Sequence, residues 1–208
     1  MYGQDFYDAI RAGIQSSAAV VAPIVSDLVR PRTVLDVGCG EGWWAQAFED
    51  ATGHTVAQGV DGPGVPADAP IREMGFTEVN LAKPGTVSGS FDLVVCLEVA
   101  EHLPPRRAAT FVAELCQAAP VVMFSAAIPG QGGTGHINEA WPGYWVDLFA
   151  GQGFRVDGSL RFDLWGDDRV ENWYRQNLLL ASVEPLPGLA YGPVLPVVHP
   201  VLYDARRR

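Results

Sequence analysis

A chain of 208 residues, 48% hydrophobic and 18% charged, is long enough to bury one sizeable core and reads as a single domain, 1–208. A formal charge of −10, with Lys83 the only lysine, disfavours a nucleic-acid partner, because binding to a phosphate backbone relies on Lys and Arg. No apolar run stands out as a bilayer span, no leader sequence opens the chain, and Cys39, Cys96 and Cys116 lack paired spacing. The expectation is a cytoplasmic protein with no membrane association, disulfide framework or thiolate zinc site.

Residues 4–29 carry apolar side chains at helical spacing, with Phe6, Ile10, Ile14, Val20, Val21, Ile24 and Leu28 as inward positions. Pro23 is expected to divide this segment into two helices, since it lacks a donor and clashes with the preceding turn. The resulting N-terminal helical cap, 1–30, either packs on the sheet edge or covers a ligand. Thr33 to Ala45 then compresses a buried strand, a glycine turn and a helix start. Val34, Leu35 and Val37 form the strand, and Gly38, Gly40 and Gly42 let backbone amides approach a ligand without an intervening Cβ. The following helix, Trp43 to Asp50, ends near Gly53 and points its N-terminal amides into the same space. His54 to Val60 is the second strand. Asp61 stands at its C-terminal end, about twenty residues past the last glycine, where a nucleotide fold needs an acid for ribose hydroxyls; Asp61-Gly62-Pro63-Gly64 is also a turn sequence.

Residues 62–70 read as a loop, Glu78 to Leu81 as a third strand and its end, and Phe91 to Leu97 as a central strand buried on both faces. Glu98-Val99-Ala100-Glu101-His102-Leu103 comes next. If helical, it places Glu98, Glu101 and His102 on one face at the C-terminal edge of that strand; alternatively, Glu101 and His102 merely order the helix start. Arg106 to Ala119 is an amphipathic helix with Phe111, Val112 and Leu115 inward, and Val121 to Ala127 the next strand. Its glycine-rich exit loop, 128–142, carries His136, Asn138, Glu139 and Trp141, which offer a base, hydrogen-bonding groups and an apolar wall, although a loop histidine can also be simply exposed. Tyr144 to Gln152 is a helix, Phe154 to Phe162 a strand, Val170 to Arg175 a short helical or irregular insertion, and Asn177 to Val183 the final strand. Asp163 to Trp173 reads as a solvated loop or an approach to the substrate pocket. In the tail, 184–208, Pro185, Pro187, Pro193, Pro196 and Pro200 are expected to exclude helix and strand, so that it wraps over the domain.

The run acid-x-Gly-x-Gly-x-Gly, Asp36 to Gly42, resembles that of the class I S-adenosylmethionine (SAM) dependent methyltransferases, and the likeness extends over roughly residues 15 to 183. Glu98 to Leu103 resembles the post-strand motif of ubiquinone-biosynthesis O-methyltransferases and small-RNA end methyltransferases. The resemblance implies an α/β fold with a Rossmann-like doubly wound sheet of seven strands, mostly parallel with an antiparallel last strand. It implies SAM bound along Asp36, Gly38, Cys39, Gly40, Gly42, Asp61, Gly62, Asn80, Leu81, Leu97 and Glu98, with Asn80 and Leu81 meeting the adenine. The activity implied is methyl transfer to a small or medium acceptor, at oxygen first and nitrogen second. His136 is the first choice of base and His102 the second, with Glu101 orienting an imidazole or binding a metal. In some of these families the matching Glu, Glu and His hold a divalent metal; here Glu98, Glu101, His102 and His136 form that set, which allows a metal without establishing one. Three competitors stay open: a metal-dependent RNA methyltransferase, a noncatalytic SAM-binding protein, and a nicotinamide dehydrogenase. The last matches its glycine fingerprint only from Gly40 to Ala45, with Asp36 badly placed beside a pyrophosphate.

Overall fold

The computed structural model describes the backbone of residues 4–205 and the side chains among them except those of residues 4–6 and 9. Phe6, one of the expected inward positions, lies outside the described side chains. Among the described residues the strands are β1 Thr33–Val37, β2 Val56–Asp61, β3 Phe76–Glu78, β4 Leu93–Leu97, β5 Val121–Ser125, β6 Arg155–Asp157 and β7 Leu179–Ser182, in the order β3-β2-β1-β4-β5-β7-β6. β1 to β5 run parallel, and β7 is antiparallel to both β5 and β6. β4 and β5 are buried at every residue, which is why they read as unbroken apolar runs. From β1 the chain steps outward to β2 and β3, then crosses back to β4. That reversal between β1 and β4 opens a crevice beyond their C-terminal ends.

The helices are α1 Gln4–Val29, α2 Trp43–Thr52, α3 Ile71–Met74, α4 Ala108–Ala118, α5 Pro142–Gly151, α6 Leu160–Leu164, α7 Asn172–Asn177 and α8 Pro200–Ala205. They cover both faces of the sheet. Phe111, Leu115, Phe124, Trp145 and Phe149 anchor one apolar layer; Val21, Val25, Trp44, Phe48, Met123 and Leu178 anchor the other.

Several local expectations are corrected. Pro23 does not divide α1. Both Pro23 and Ala19, whose carbonyl the proline leaves unpaired, are exposed, so water can satisfy that carbonyl while Ala22 and Val25 stay packed inside. Ile24 is 37% exposed, and Val25 takes the inward place assigned to it. Ile10–Val29 is also long and apolar enough to cross a bilayer by length and composition, although no run in the sequence stands out as a span. In the fold its inner face, Ala18 to Val25, packs into the apolar layer shared with α2.

β3 forms at Phe76–Glu78, upstream of the expected segment, because Asn80 turns the chain by accepting the Ala82 amide on its side chain at 3.1 Å. β6 stops at Asp157 instead of reaching Phe162. The Asp157 carboxylate accepts from the Ser159 amide and hydroxyl at 2.8 and 2.6 Å, a turn that launches α6. The tail wraps as expected but is not without regular structure: Pro200 opens α8, at a helix start where its missing N–H is harmless. Tyr191 pins the tail through its hydroxyl, which meets Ser182 Oγ and accepts from the Leu186 amide, both at 2.8 Å.

Candidate active site

The glycine turn after β1 is built by sterics as much as by dihedral freedom. Gly38 has φ +75°, its amide donates to the Val60 carbonyl at 2.8 Å, and a Cβ there would collide with Val99. Gly42, at φ +90° ahead of α2, leaves no room either, since a Cβ would lie 2.5 Å from that of Ile71. Asp61, the last residue of β2, closes the turn by accepting from the Gly40 amide at 2.7 Å and the Gly62 amide at 2.6 Å. Asp36 lies beneath, 3% exposed and bonded by the Ala45 amide, with Oδ2 lacking a partner among the described residues. Burial, and then the nearby Asp61 charge, push its pKa up to about 8.

An open cavity of about 830 Å3 lies over this turn and over the ends of β2, β3 and β4, roofed by the N-terminal half of α1. Of the residues singled out in the sequence, Gly38, Cys39, Gly40, Asp61, Gly62, Asn80, Leu81, Leu97, Glu98, His102 and His136 line it. Asp36, Gly42 and Glu101 do not: the first lies below the turn, the second packs on Ile71, and the third is fully buried. Sequence reasoning missed Tyr7, Gln131 and Tyr174 on its walls, whereas Trp173 ends the segment read as a solvated loop or an approach to the substrate pocket, and it lines the cavity. The one available signal was the aromatic pair Trp173-Tyr174 inside an otherwise polar insertion.

At the end of β4 the expected helical face does not form. Glu98 adopts φ +55°, and the only helical turn is a short 310 segment, Ala100–His102. The Glu98 amide is held by Ser125, through its carbonyl at 3.0 Å and its hydroxyl at 3.1 Å. The Glu98 carboxylate turns toward Gln131 Nε2 at 2.8 Å and Asn177 Nδ2 at 3.1 Å. Glu101 accepts from the Ala127 amide at 3.2 Å, and its own carbonyl accepts from Ile137 and Asn138 at 2.8 and 3.0 Å, which anchors the exit loop. Burial raises the pKa of both carboxyls, and the Glu98 charge lifts Glu101 further, so Glu101 is the neutral member of the pair.

The two histidines meet edge to face, with ring centroids 4.8 Å apart. Burial, and then His136, hold the His102 pKa down, against the Gly135 carbonyl that bonds its ring. His136 Nδ1 lies 3.0 Å from Glu139 Oε1, and Glu139 is itself fixed by the Gly130 and Gly132 amides at 2.7 and 2.6 Å. Burial alone would raise the Glu139 pKa, but these three hydrogen bonds outweigh it and hold the group below the usual carboxylate range. With Nδ1 engaged, Nε2 is the His136 atom available to a ligand. Donor atoms of Glu101, His102 and His136 lie within 4.8 Å of one another; Glu98 is not part of that cluster.

A glycine turn after β1, an acid ending β2 and a seven-stranded sheet closed by an antiparallel β7 together define the class I methyltransferase fold. The chain belongs to the methyltransferase domain family, whose model matches residues 11–130. Similar solved structures include the sugar N-methyltransferase KedS8 of Streptoalloteichus, 16% identical, TM-score 0.65, with 89% of this chain and 96% of that one covered. An O-methyltransferase family protein of Burkholderia thailandensis is also 16% identical, TM-score 0.59, covering 85% of this chain and 59% of that one. Human N-acetylserotonin methyltransferase, solved with SAM, is 13% identical, TM-score 0.57, covering 88% and 55%. The chain spans only 53% to 59% of the length of several such neighbours. No curated protein matches it in sequence.

Proposed function

We propose that this protein transfers the methyl group of SAM to a hydroxyl of a small acceptor bound in the cavity. The observation that carries the reading is the meeting, in one cavity, of the Gly38–Gly40 turn and Asp61 with a histidine oriented by a fixed carboxylate. The cradle fits the cofactor: the turn presents backbone where side chains would intrude, and Asp61 keeps lone pairs for ribose hydroxyls beyond its two amide bonds. Asn80 and Leu81 would meet the adenine, and Leu97 and Glu98 would lie beside the turn. SAM supplies an activated methyl on a sulfonium. The protein must align the acceptor, exclude water and remove the hydroxyl proton. Tyr7, Ile10 and Ile14 of α1 cover the cavity and serve the second need.

His136 takes the proton on Nε2, while Glu139 accepts from Nδ1–H and so fixes the tautomer. His136→Ala is expected to leave the affinity for S-adenosylhomocysteine nearly intact and to lower turnover by roughly 10²- to 10⁴-fold. Near-wild-type turnover in a folded variant would move the base to His102, or the acceptor atom to nitrogen.

A second reading is favoured by the clustering of Glu101, His102 and His136. One carboxyl and two imidazoles suit manganese, iron, zinc or a similar divalent ion better than magnesium, and such an ion would acidify the acceptor hydroxyl. Activity that survives exhaustive EDTA treatment would remove this reading. The acidic balance and the free Cys39, Cys96 and Cys116 support a cytoplasmic reaction on a small molecule rather than on nucleic acid.

A further inference from the structure

We infer that the acceptor is an uncharged, hydroxyl-bearing ring compound with no carboxylate or phosphate. This inference rests on the methyl-transfer reading of the same cavity. Its walls carry no Lys or Arg among the described residues; their titratable side chains include His102 and His136 and four carboxyls, Glu41, Asp61, Glu78 and Glu98, of which Asp61 and Glu98 are those placed beside SAM. The neighbouring cation is already committed. Arg11 meets both oxygens of Glu41, at 3.0 and 2.6 Å, and reaches Asp8 at 2.8 Å. An acceptor carboxylate or phosphate would therefore lose its hydration without gaining an Arg or Lys partner on the wall. Anionic ligands are normally met by Arg forks or Lys, and none is offered here.

The rest of the wall favours a flat apolar body. Tyr7 and Ile10 line the cavity from α1, and Trp173 and Tyr174 from α7. Tyr174 is held rigid against Trp44, edge to face at 5.1 Å with a hydrogen bond of 3.3 Å between Trp44 Nε1 and the Tyr174 hydroxyl. Such aromatic faces stack on a ring, while the His136 Nε2 takes its hydroxyl proton. The prediction separates this chain from the neighbour NcsB1, which was solved with 1,4-dihydroxy-2-naphthoic acid, a carboxylated ring.

Calorimetry on the full chain loaded with S-adenosylhomocysteine, titrated at neutral pH with 2-naphthol and with 3-hydroxy-2-naphthoate, tests it. The naphthol is expected to bind at least about tenfold more tightly, a gap of about 1.4 kcal/mol. In Ile10→Lys, which places a cation on the cavity wall, the gap should narrow or reverse. Equal or tighter binding of the carboxylate by the wild-type protein would overturn the inference, as would a protein that binds S-adenosylhomocysteine but neither naphthalene. Failure to bind S-adenosylhomocysteine at all is a different result: it would overturn the methyl-transfer reading, and this inference with it.

Discussion

Asp36 illustrates how a single residue can be legible in kind and illegible in role. The sequence marks it as the acid of the glycine motif, a position that suggests ligand contact, yet the folded chain buries it to 3% exposure beneath the turn. Its pKa is pushed from 3.8 up to about 8 by burial and then by Asp61, so the folded state holds a proton that the unfolded chain gives up. The stability linked to that proton is fully present below about pH 4 and is lost as the pH climbs from there through about 8. Asp36→Asn carries no titrating group at this site. Urea midpoints measured at acidic, neutral and mildly alkaline pH should fall less steeply in the variant than in the wild type. Parallel pH profiles would show that Asp36 is ionised in the folded protein. Glu98 hides a similar lesson: spacing alone placed it on a helical face, whereas its φ of +55° and its bonds to Gln131 and Asn177 depend on residues far along the chain.

At the scale of elements, legibility follows how local the determining interactions are. β1, β4 and β5 announce themselves because burial on both faces demands apolar runs, and α2 because Gly53 ends it with a left-handed cap at φ +68°. β6 was overextended because a side-chain turn at Asp157 overrules an apolar pattern that continues into α6. The cavity wall was least legible, since Tyr174 reaches it through a contact with Trp44, 130 positions away in the chain.

Two elements that shape the site can be tested through their glycines. Gly40 has φ +52°, and a Cβ there would lie 3.2 Å from the Tyr7 ring, so Gly40→Val is expected to abolish most S-adenosylhomocysteine binding in calorimetry. In the exit loop, a Cβ at Gly133 would strike the His136 imidazole. Gly133→Ala should therefore lower kcat while leaving cofactor affinity unchanged. The opposite pattern would detach this loop from the chemistry.

Across the whole molecule, the C-terminal tail is joined to the cavity by a continuous path of hydrogen bonds. The buried His199 donates its amide to Gln176 Oε1 at 2.7 Å, Gln176 Nε2 donates to Gln131 Oε1 at 3.1 Å, and Gln131 Nε2 donates to Glu98 Oε2 at 2.8 Å. Arg161, fully buried, ties the same strap by donating to the carbonyls of Gln176 and Leu195, both at 3.2 Å. Gln176 is 1% exposed and joins the tail to the loop that carries His136. Replacing it with Leu keeps the volume close but leaves the His199 amide without its acceptor, a loss of about 1 to 3 kcal/mol in unfolding free energy for a buried polar group, and takes from Gln131 Oε1 one of the three donors it has in Gln176, Asn177 and the Ile128 amide. If the path also fixes the loop, turnover per folded molecule should fall in Gln176→Leu, and Gln176→Glu should restore only the tail bond, because its carboxylate accepts from His199 but cannot donate to Gln131. Chemical denaturation and kcat measured on the same preparations separate the outcomes. A destabilised Gln176→Leu protein with unchanged kcat would show that the tail supports the fold but not the position of His136.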